Sequence, residues 1–248
     1  MLGEITELKT VTFVTIALFS GIAAGIFLVF LNLGIVEPII DKAIDLEVQK
    51  QVSSGESVNM SEFIEYRYWQ KAGAFVGGAI YGAGLSSLFG VIFVFAKNKL
   101  PGNNNKQKAI FLAGIMWFVL FFVVALKYPP NPPAVGDPGT IYYREILYVS
   151  YLMISGFTAL GMAIIWIMTR MNSKRIIIPL MYAAIMVTAY VVMPFNPDKI
   201  QISMDLVLTF RILTVITIGV FWGILGIIFG SLWDKFLSEE RTITKKLY

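Results

Sequence analysis

Acidic and basic side chains are scarce in this sequence and gather where long apolar runs end. Glu37 and Pro38 close the first run, Asp137 precedes Tyr143-Arg144, and Asp205 precedes Phe210-Arg211. Arg211 is followed by 22 uncharged residues, which sets it slightly inside the boundary of its run. An arginine at that depth needs a carboxylate or backbone carbonyls. Glu37, Asp137 and Asp205 are the carboxylates within reach of such a boundary. The expected arrangement is a polar cluster of Arg211, Arg144, Glu37 and Asp137 that ties the connections over a helix bundle.

Two absences exclude much of the remaining chemistry. The chain has no cysteine, so it forms no disulfide and no thiolate metal site, and no histidine, which removes the commonest transition-metal ligand and the usual neutral-pH proton shuttle. Without histidine there is no Ser-His-Asp triad, and no phosphate-binding Gly-x4-Gly-Lys-Ser/Thr loop occurs. No set of metal ligands at catalytic spacing appears either, so an enzyme is not expected, nor a tightly bound cofactor.

The elements that must position these residues are membrane helices. The chain is 57% hydrophobic and 15% charged over 248 residues, where a soluble domain carries about 25% charged residues. Six uncharged spans stand out, at Thr10 to Val36, Ala72 to Ala96, Ala109 to Leu126, Ile146 to Thr169, Ile176 to Pro197 and Ile212 to Trp233. Roughly 20 residues are needed to cross a hydrocarbon core of about 30 Å, so each is a candidate crossing. The expected fold is an all-α polytopic membrane protein of six transmembrane helices, a single transmembrane domain over residues 1–248. Its helices are expected at about 10–36, 72–96, 109–127, 146–170, 176–196 and 207–233, with an acidic extracytoplasmic segment at 37–71. Lys108 and Lys127 flank the shortest span and are expected to snorkel toward the two interfaces. The first span is too long for a cleaved signal peptide's apolar region and is expected to remain in the mature protein.

Orientation follows from the basic residues near loop ends. Lys97, Lys99, Lys106 and Lys108, then Arg170, Lys174 and Arg175, fall on one side. With both termini that side carries 12 basic and 5 acidic residues, against 8 and 11 opposite. Both termini are therefore expected in the cytoplasm of a multi-pass cell-membrane protein whose environment is lipid. Dispersed in this way, the basic residues give no nucleic-acid surface. The acidic excess between Glu37 and Glu65 would concentrate cations locally; alternatively it marks a solvated helix with Ile40, Ile44 and Val48 as its apolar stripe.

Small residues four apart allow close helix contact in lipid. They occur as Gly21 and Gly25 in span one, Gly73, Gly77, Gly78, Gly82, Ser86 and Gly90 in span two, and Gly219, Gly223, Gly226 and Gly230 in span six. Spans one, two and six are expected to form a tight central unit.

The connections themselves share a pattern. Pro129-Pro130-Asn131-Pro132 ends span three and Pro194-Phe195-Asn196-Pro197 ends span five, each followed by an aspartate and an aromatic-arginine pair. Glu37-Pro38 and Tyr66-Arg67 form a partial third copy. Either three helical hairpins repeat one design, as is common in transporters, or helix ends in membranes share one grammar of proline stops and interfacial anchors.

On these residues the chain resembles a known family. The block KYPPNPPAVGDPGTIYYR, the Val36-Glu37-Pro38 turn, the glycine-rich AIYGAGLSSLFGVIF and the FRIL that opens the last span are similar to those of the CbtA family of probable cobalt transporter subunits. The resemblance runs nearly end to end. It implies uptake of cobalt for cobalamin synthesis, alongside a small single-helix subunit with a histidine-rich tail. A cobalt path through this chain would have only oxygen and thioether ligands. The candidates are Glu37, Asn131, Asp137 and Asn196 at the mouth, with Met153, Met162, Met181, Met186 and Met193 along spans four and five. Weak oxygen sites suit an ion that must leave as readily as it binds. Yet no acidic residue falls inside the six spans, so a non-transporting membrane scaffold competes with the transport reading.

Overall fold

A computed structural model describes residues 2–55, 59–169 and 173–237. Arg170, counted above in a basic loop, and the C-terminal charges beyond residue 237 lie outside the described residues. Among those described there is no strand. Six helices are long and apolar enough to cross a membrane: Thr10–Ser53, Met60–Ala96, Asn105–Lys127, Pro138–Met168, Lys174–Val192 and Met204–Phe236. The all-α, six-span class expected from the sequence is what the chain adopts.

The largest departure is at the first connection. Helix α1 (Leu2–Leu31) passes through a π turn at Asn32–Val36 into α2 (Glu37–Ser53) without a break. By residue type Pro38 should end this span, and it does not. It sits in the opening turn of α2, immediately after the π turn, where the regular ladder of helix hydrogen bonds is already interrupted. The preceding π turn widens the helix by one residue and takes up the steric mismatch. Ile40, Ile44 and Val48 are half-buried and Ala43 is fully buried, while Lys42, Asp45 and Glu47 face outward, so the apolar stripe is real. The continuous span of 44 residues is about 66 Å long, far more than the hydrocarbon core, so its acidic end projects beyond it. Helix α3 (Met60–Ala96) likewise starts well before the expected Ala72. Asn59 fixes its start by accepting from the N–H groups of Ser61 and Glu62.

Helices α4 (Asn105–Trp117) and α5 (Val123–Lys127) are joined by a second π turn at Phe118–Phe122. Helix α6 (Ile141–Met168) follows a 3-10 turn at Pro138–Thr140, and α7 (Lys174–Val192) stops ahead of Pro194 rather than reaching residue 196. Helix α8 (Met204–Leu232) ends in a third π turn, Trp233–Leu237.

The chain divides into two compact units. The first holds α1, α3, nearly all of α4, and α8 from Ile216 onward. Its tightest contact is α1 against α3: a Cβ on Gly82 would overlap the carbonyl oxygen of Gly21, and one on Gly25 that of Gly78. Only glycine permits backbones this close. At Gly73, Gly77 and Gly223, in contrast, an added Cβ would meet nothing within 4 Å, so their spacing alone is not a packing signal. Gly226 and Gly230 pack on Ala113, Ala109 and Lys106 of α4 rather than on α1 or α3. Span six does meet the glycine-rich helices, but through aromatic rings: Phe89 and Phe93 of α3 stack edge-on against Phe229, at 5.0 and 5.3 Å between centroids. The expected trio of spans one, two and six is thus completed by span three. Asp234 joins them, accepting the backbone N–H groups of Asn105 (3.2 Å) and Lys106 (3.0 Å) and so capping α4 from a distant part of the sequence.

The second unit holds the middle of α2 (Ile39–Gln49), the Phe118–Phe122 turn, α5, α6, α7 and α8 up to Val215. Val123, Val124, Tyr128, Leu147, Tyr151 and Met186 form its core. Inside it the Ser155 hydroxyl donates to the Val119 carbonyl of the π turn at 2.6 Å and lies 2.7 Å from the Tyr182 hydroxyl.

Candidate functional site

Polar groups collect where the proline-rich connections of the second unit meet. The prolines explain why: Pro129, Pro130, Pro132 and Pro133 forbid a helix, so residues 128 to 137 form a stiff non-helical segment, turning at 133–134, that carries side chains across to the 193–203 connection. Ala134 adopts a left-handed φ of 66°, and Gly136 one of 106°. A Cβ at Gly136 would strike the Arg144 guanidinium and an Asp198 carboxylate oxygen, so the glycine is what lets those two groups close over the turn.

Asp198 is the centre of this junction. Its carboxylate accepts the Asp137 N–H at 3.0 Å and the Thr140 hydroxyl at 2.8 and 2.9 Å. Arg144 Nε stands 2.9 Å from Asp198 Oδ2, with its N–H not directed at that oxygen, so the contact is an ion pair and not an aligned hydrogen bond. Arg144 Nη2 donates to the Asp137 backbone carbonyl at 3.1 Å. The Asp137 carboxylate itself is turned locally, accepting the Gly139 N–H at 2.7 Å as a helix cap.

Arg211 makes the reciprocal link. From the start of α8 it donates through Nη2 (2.7 Å) and Nε (3.2 Å) to Asn131 Oδ1. The arginine in the opening turns of each helix is therefore tied to the other connection, Arg144 by an ion pair to the one holding Asn196 and Arg211 by hydrogen bonds to the one holding Asn131. Asn196 closes its own turn, its Oδ1 accepting the Asp198 N–H at 3.0 Å.

The expected cluster of Arg211, Arg144, Glu37 and Asp137 is thus only partly assembled. Arg144 and Asp137 meet, but through the aspartate's main chain. Arg211 takes an amide oxygen instead of a carboxylate. Glu37, in the first unit, pairs with Arg67 and with Lys71, the latter at 3.2 Å. Asp205 lies exposed in the first turn of α8, where its charge complements the helix dipole. Tyr143 is exposed. Of the methionines, Met153 and Met181 are exposed, while Met162 and Met186 are buried. Among the described residues no three carboxylates gather as a metal site would require.

Two contributors escape the sequence reading. Asp198 reads there only as one more charge, although its place immediately after Pro197 is an available signal. Lys127, expected to snorkel outward, does the opposite: it is 4% exposed. Its ammonium donates to the carbonyls of Tyr190 (2.7 Å) and Met193 (2.9 Å), and sits 3.4 Å above the Phe195 ring. Those carbonyls are the unpaired ones at the end of α7, so the lysine caps that helix while the ring holds its remaining face. Tyr128 beside it donates to the Pro194 carbonyl at 2.6 Å. Burial first, and Tyr143 second, push the Tyr128 phenol above its ordinary pKa, keeping it a neutral donor.

Next to this junction the second unit holds a partly open cavity of about 300 Å³. Its polar wall is Arg144, Asn131, Asn196 and Tyr148, and its apolar floor includes Phe121 and Leu147.

Six apolar helices and proline-stiffened polar connections define a polytopic all-α membrane protein. Within that class the chain belongs to the CbtA family, described as probable cobalt transporter subunit, whose family model matches residues 10–234. No curated protein and no solved structure matches the chain. A family of subunits implies that the protein works with a partner, and transporter subunits are not an enzyme class.

Proposed function

We propose that the chain is the membrane-embedded subunit of a cobalt uptake system in the cell membrane, serving cobalamin synthesis, with both termini cytoplasmic. The family match over residues 10–234 carries this reading, and six membrane-capable helices support it. Cobalt is the cargo here and not a resident cofactor. Selective capture falls to the partner, a small single-helix subunit with a histidine-rich tail, because imidazole is the ligand this chain lacks. Glu37, Asn131, Asp137 and Asn196 are the proposed oxygen ligands for the ion's passage. The drive comes from another subunit or from the membrane potential, since the chain has neither a phosphate-binding loop nor a carboxylate within its six uncharged runs.

A second reading, a non-transporting scaffold, is favoured by one specific observation. Every candidate ligand is already engaged within the protein: Glu37 with Arg67 and Lys71, Asn131 with Arg211, Asn196 with the Asp198 N–H, and Asp137 with Gly139. Radioactive cobalt uptake into proteoliposomes, with and without the partner, separates the two. Uptake by the chain alone rejects the scaffold. Uptake only with the partner, undiminished when all four candidate ligands are replaced in folded protein, rejects the conducting role. No uptake in either arm overturns the cobalt reading.

A further inference from the structure

The cavity in the second unit is walled by donors that the protein leaves unused. Asn131 Oδ1 is fixed as the oxygen because its partner, the Arg211 guanidinium, can only donate. Asn196 Oδ1 is fixed in the same way by the Asp198 N–H. The atom that remains on each amide is therefore Nδ2, a donor, and neither has a protein partner among the described residues. Arg144 spends Nε on the ion pair with Asp198 and Nη2 on the Asp137 carbonyl, leaving Nη1 unbonded among the described residues. Tyr148 adds a hydroxyl that likewise has no bond there. No carboxylate lines the cavity.

A guanidinium, two amides with free N–H2 groups and a phenol lining one pocket, with no acid among the lining residues, suit an oxyanion better than a metal ion. The rest of the lining, Tyr128 apart, consists of apolar residues, with Phe121 and Leu147 belonging to membrane-spanning helices. A volume of about 300 Å³ is at the small end for ligand sites, enough for a head group with part of an apolar tail. We propose that this cavity binds a phosphate or carboxylate group carried on an apolar body, held by Arg144, Asn131 and Asn196. Cobalt passage would draw on the oxygens of the same two amides, whereas the anion takes their nitrogens. Anion binding is measured with no cobalt present, so its outcome is independent of the transport reading.

Two sources share this chemistry, an anionic phospholipid and a soluble amphiphilic anion. The test uses the full chain in nanodiscs of phosphatidylcholine, to which phosphatidylglycerol, hexyl phosphate or octanoate is added, with melting temperature and native mass spectrometry as readouts. Asn131→Asp and Asn196→Asp are the informative variants. Each keeps the oxygen that its protein partner needs and replaces only the free donor with a carboxylate oxygen. Both are expected to melt like the parent without ligand and to bind the anion at least about tenfold more weakly, from loss of a donor and gain of a like charge. A response to phosphatidylglycerol alone identifies a lipid site; a response to hexyl phosphate or octanoate identifies a soluble ligand. If none of the three probes shifts the melt or appears as an adduct, the proposal is wrong. It is equally overturned if the folded aspartate variants bind as the parent does.

Discussion

Arg211 reaches from the first turns of α8 to Asn131, 2.7 Å from Nη2 to Oδ1, and so anchors a membrane helix to a proline-rich segment 80 positions earlier. An arginine near the hydrocarbon boundary needs an acceptor, and this amide oxygen is the one it has taken. Asn131→Leu removes the acceptor and leaves a partly buried charge unpaired, with an expected loss of about 2 kcal/mol. Asn131→Asp keeps the acceptor and should not lose stability. Thermal melts of the two variants check this, and equal melting of Asn131→Leu and parent would show that the bond contributes nothing.

Lys127 supplies the same kind of tie deeper in the second unit. Lys127→Met preserves the aliphatic body but abandons the Tyr190 and Met193 carbonyls at the end of α7. The expected cost is about 2 kcal/mol, concentrated in the last turn of that helix. Hydrogen exchange should therefore accelerate at the final amides of α7 before it changes in α6. Uniform acceleration throughout the unit would argue against a local cap.

The glycines allow a sharper contrast. Gly82→Ala places a methyl group on the Gly21 carbonyl oxygen, so α1 and α3 must part, whereas Gly77→Ala meets nothing within 4 Å. The first substitution should lower folded yield severalfold, and the second should leave it unchanged. Detergent-stable monomer recovered on size exclusion measures both. Comparable yields would mean that the close crossing is not needed for folding.

These residues also mark what is legible in the sequence. Six spans and their class follow from composition, because a run of about 20 apolar residues has few other fates. The Pro-x-Asn-Pro segments point correctly to the junction, since proline dictates backbone locally. Sequence reading fails where a partner decides the outcome. Gly77 and Gly78 are adjacent, and only the helix opposite makes Gly78 the packing residue. Lys127 reads as an interfacial lysine until α7 offers it two carbonyls. Pro38 reads as a stop because the π turn that absorbs it has no signature in residue type. Asp198, the junction's centre, is one aspartate among several until tertiary contact brings Arg144 and Thr140 to it.

Glu37 bears most directly on whether the chain handles an ion. Its carboxylate is mostly buried and shared between Arg67 and Lys71, an arrangement that neutralises it and leaves little negative potential for a divalent cation. If its role is to hold the start of α2 against α3, Glu37→Gln takes the charged partner from the mostly buried Arg67 side chain and should cost about 3 kcal/mol. Adding Arg67→Gln removes the charge that the carboxylate had balanced, so the double variant should recover part of that loss, a coupling that a thermodynamic cycle reads directly. Cobalt uptake in proteoliposomes with the partner present then divides the roles. Recovery of uptake along with stability in the double variant assigns Glu37 to structure. Persistent loss of uptake in a double variant that melts like the parent assigns it to the ion, and would return the carboxylate to the path.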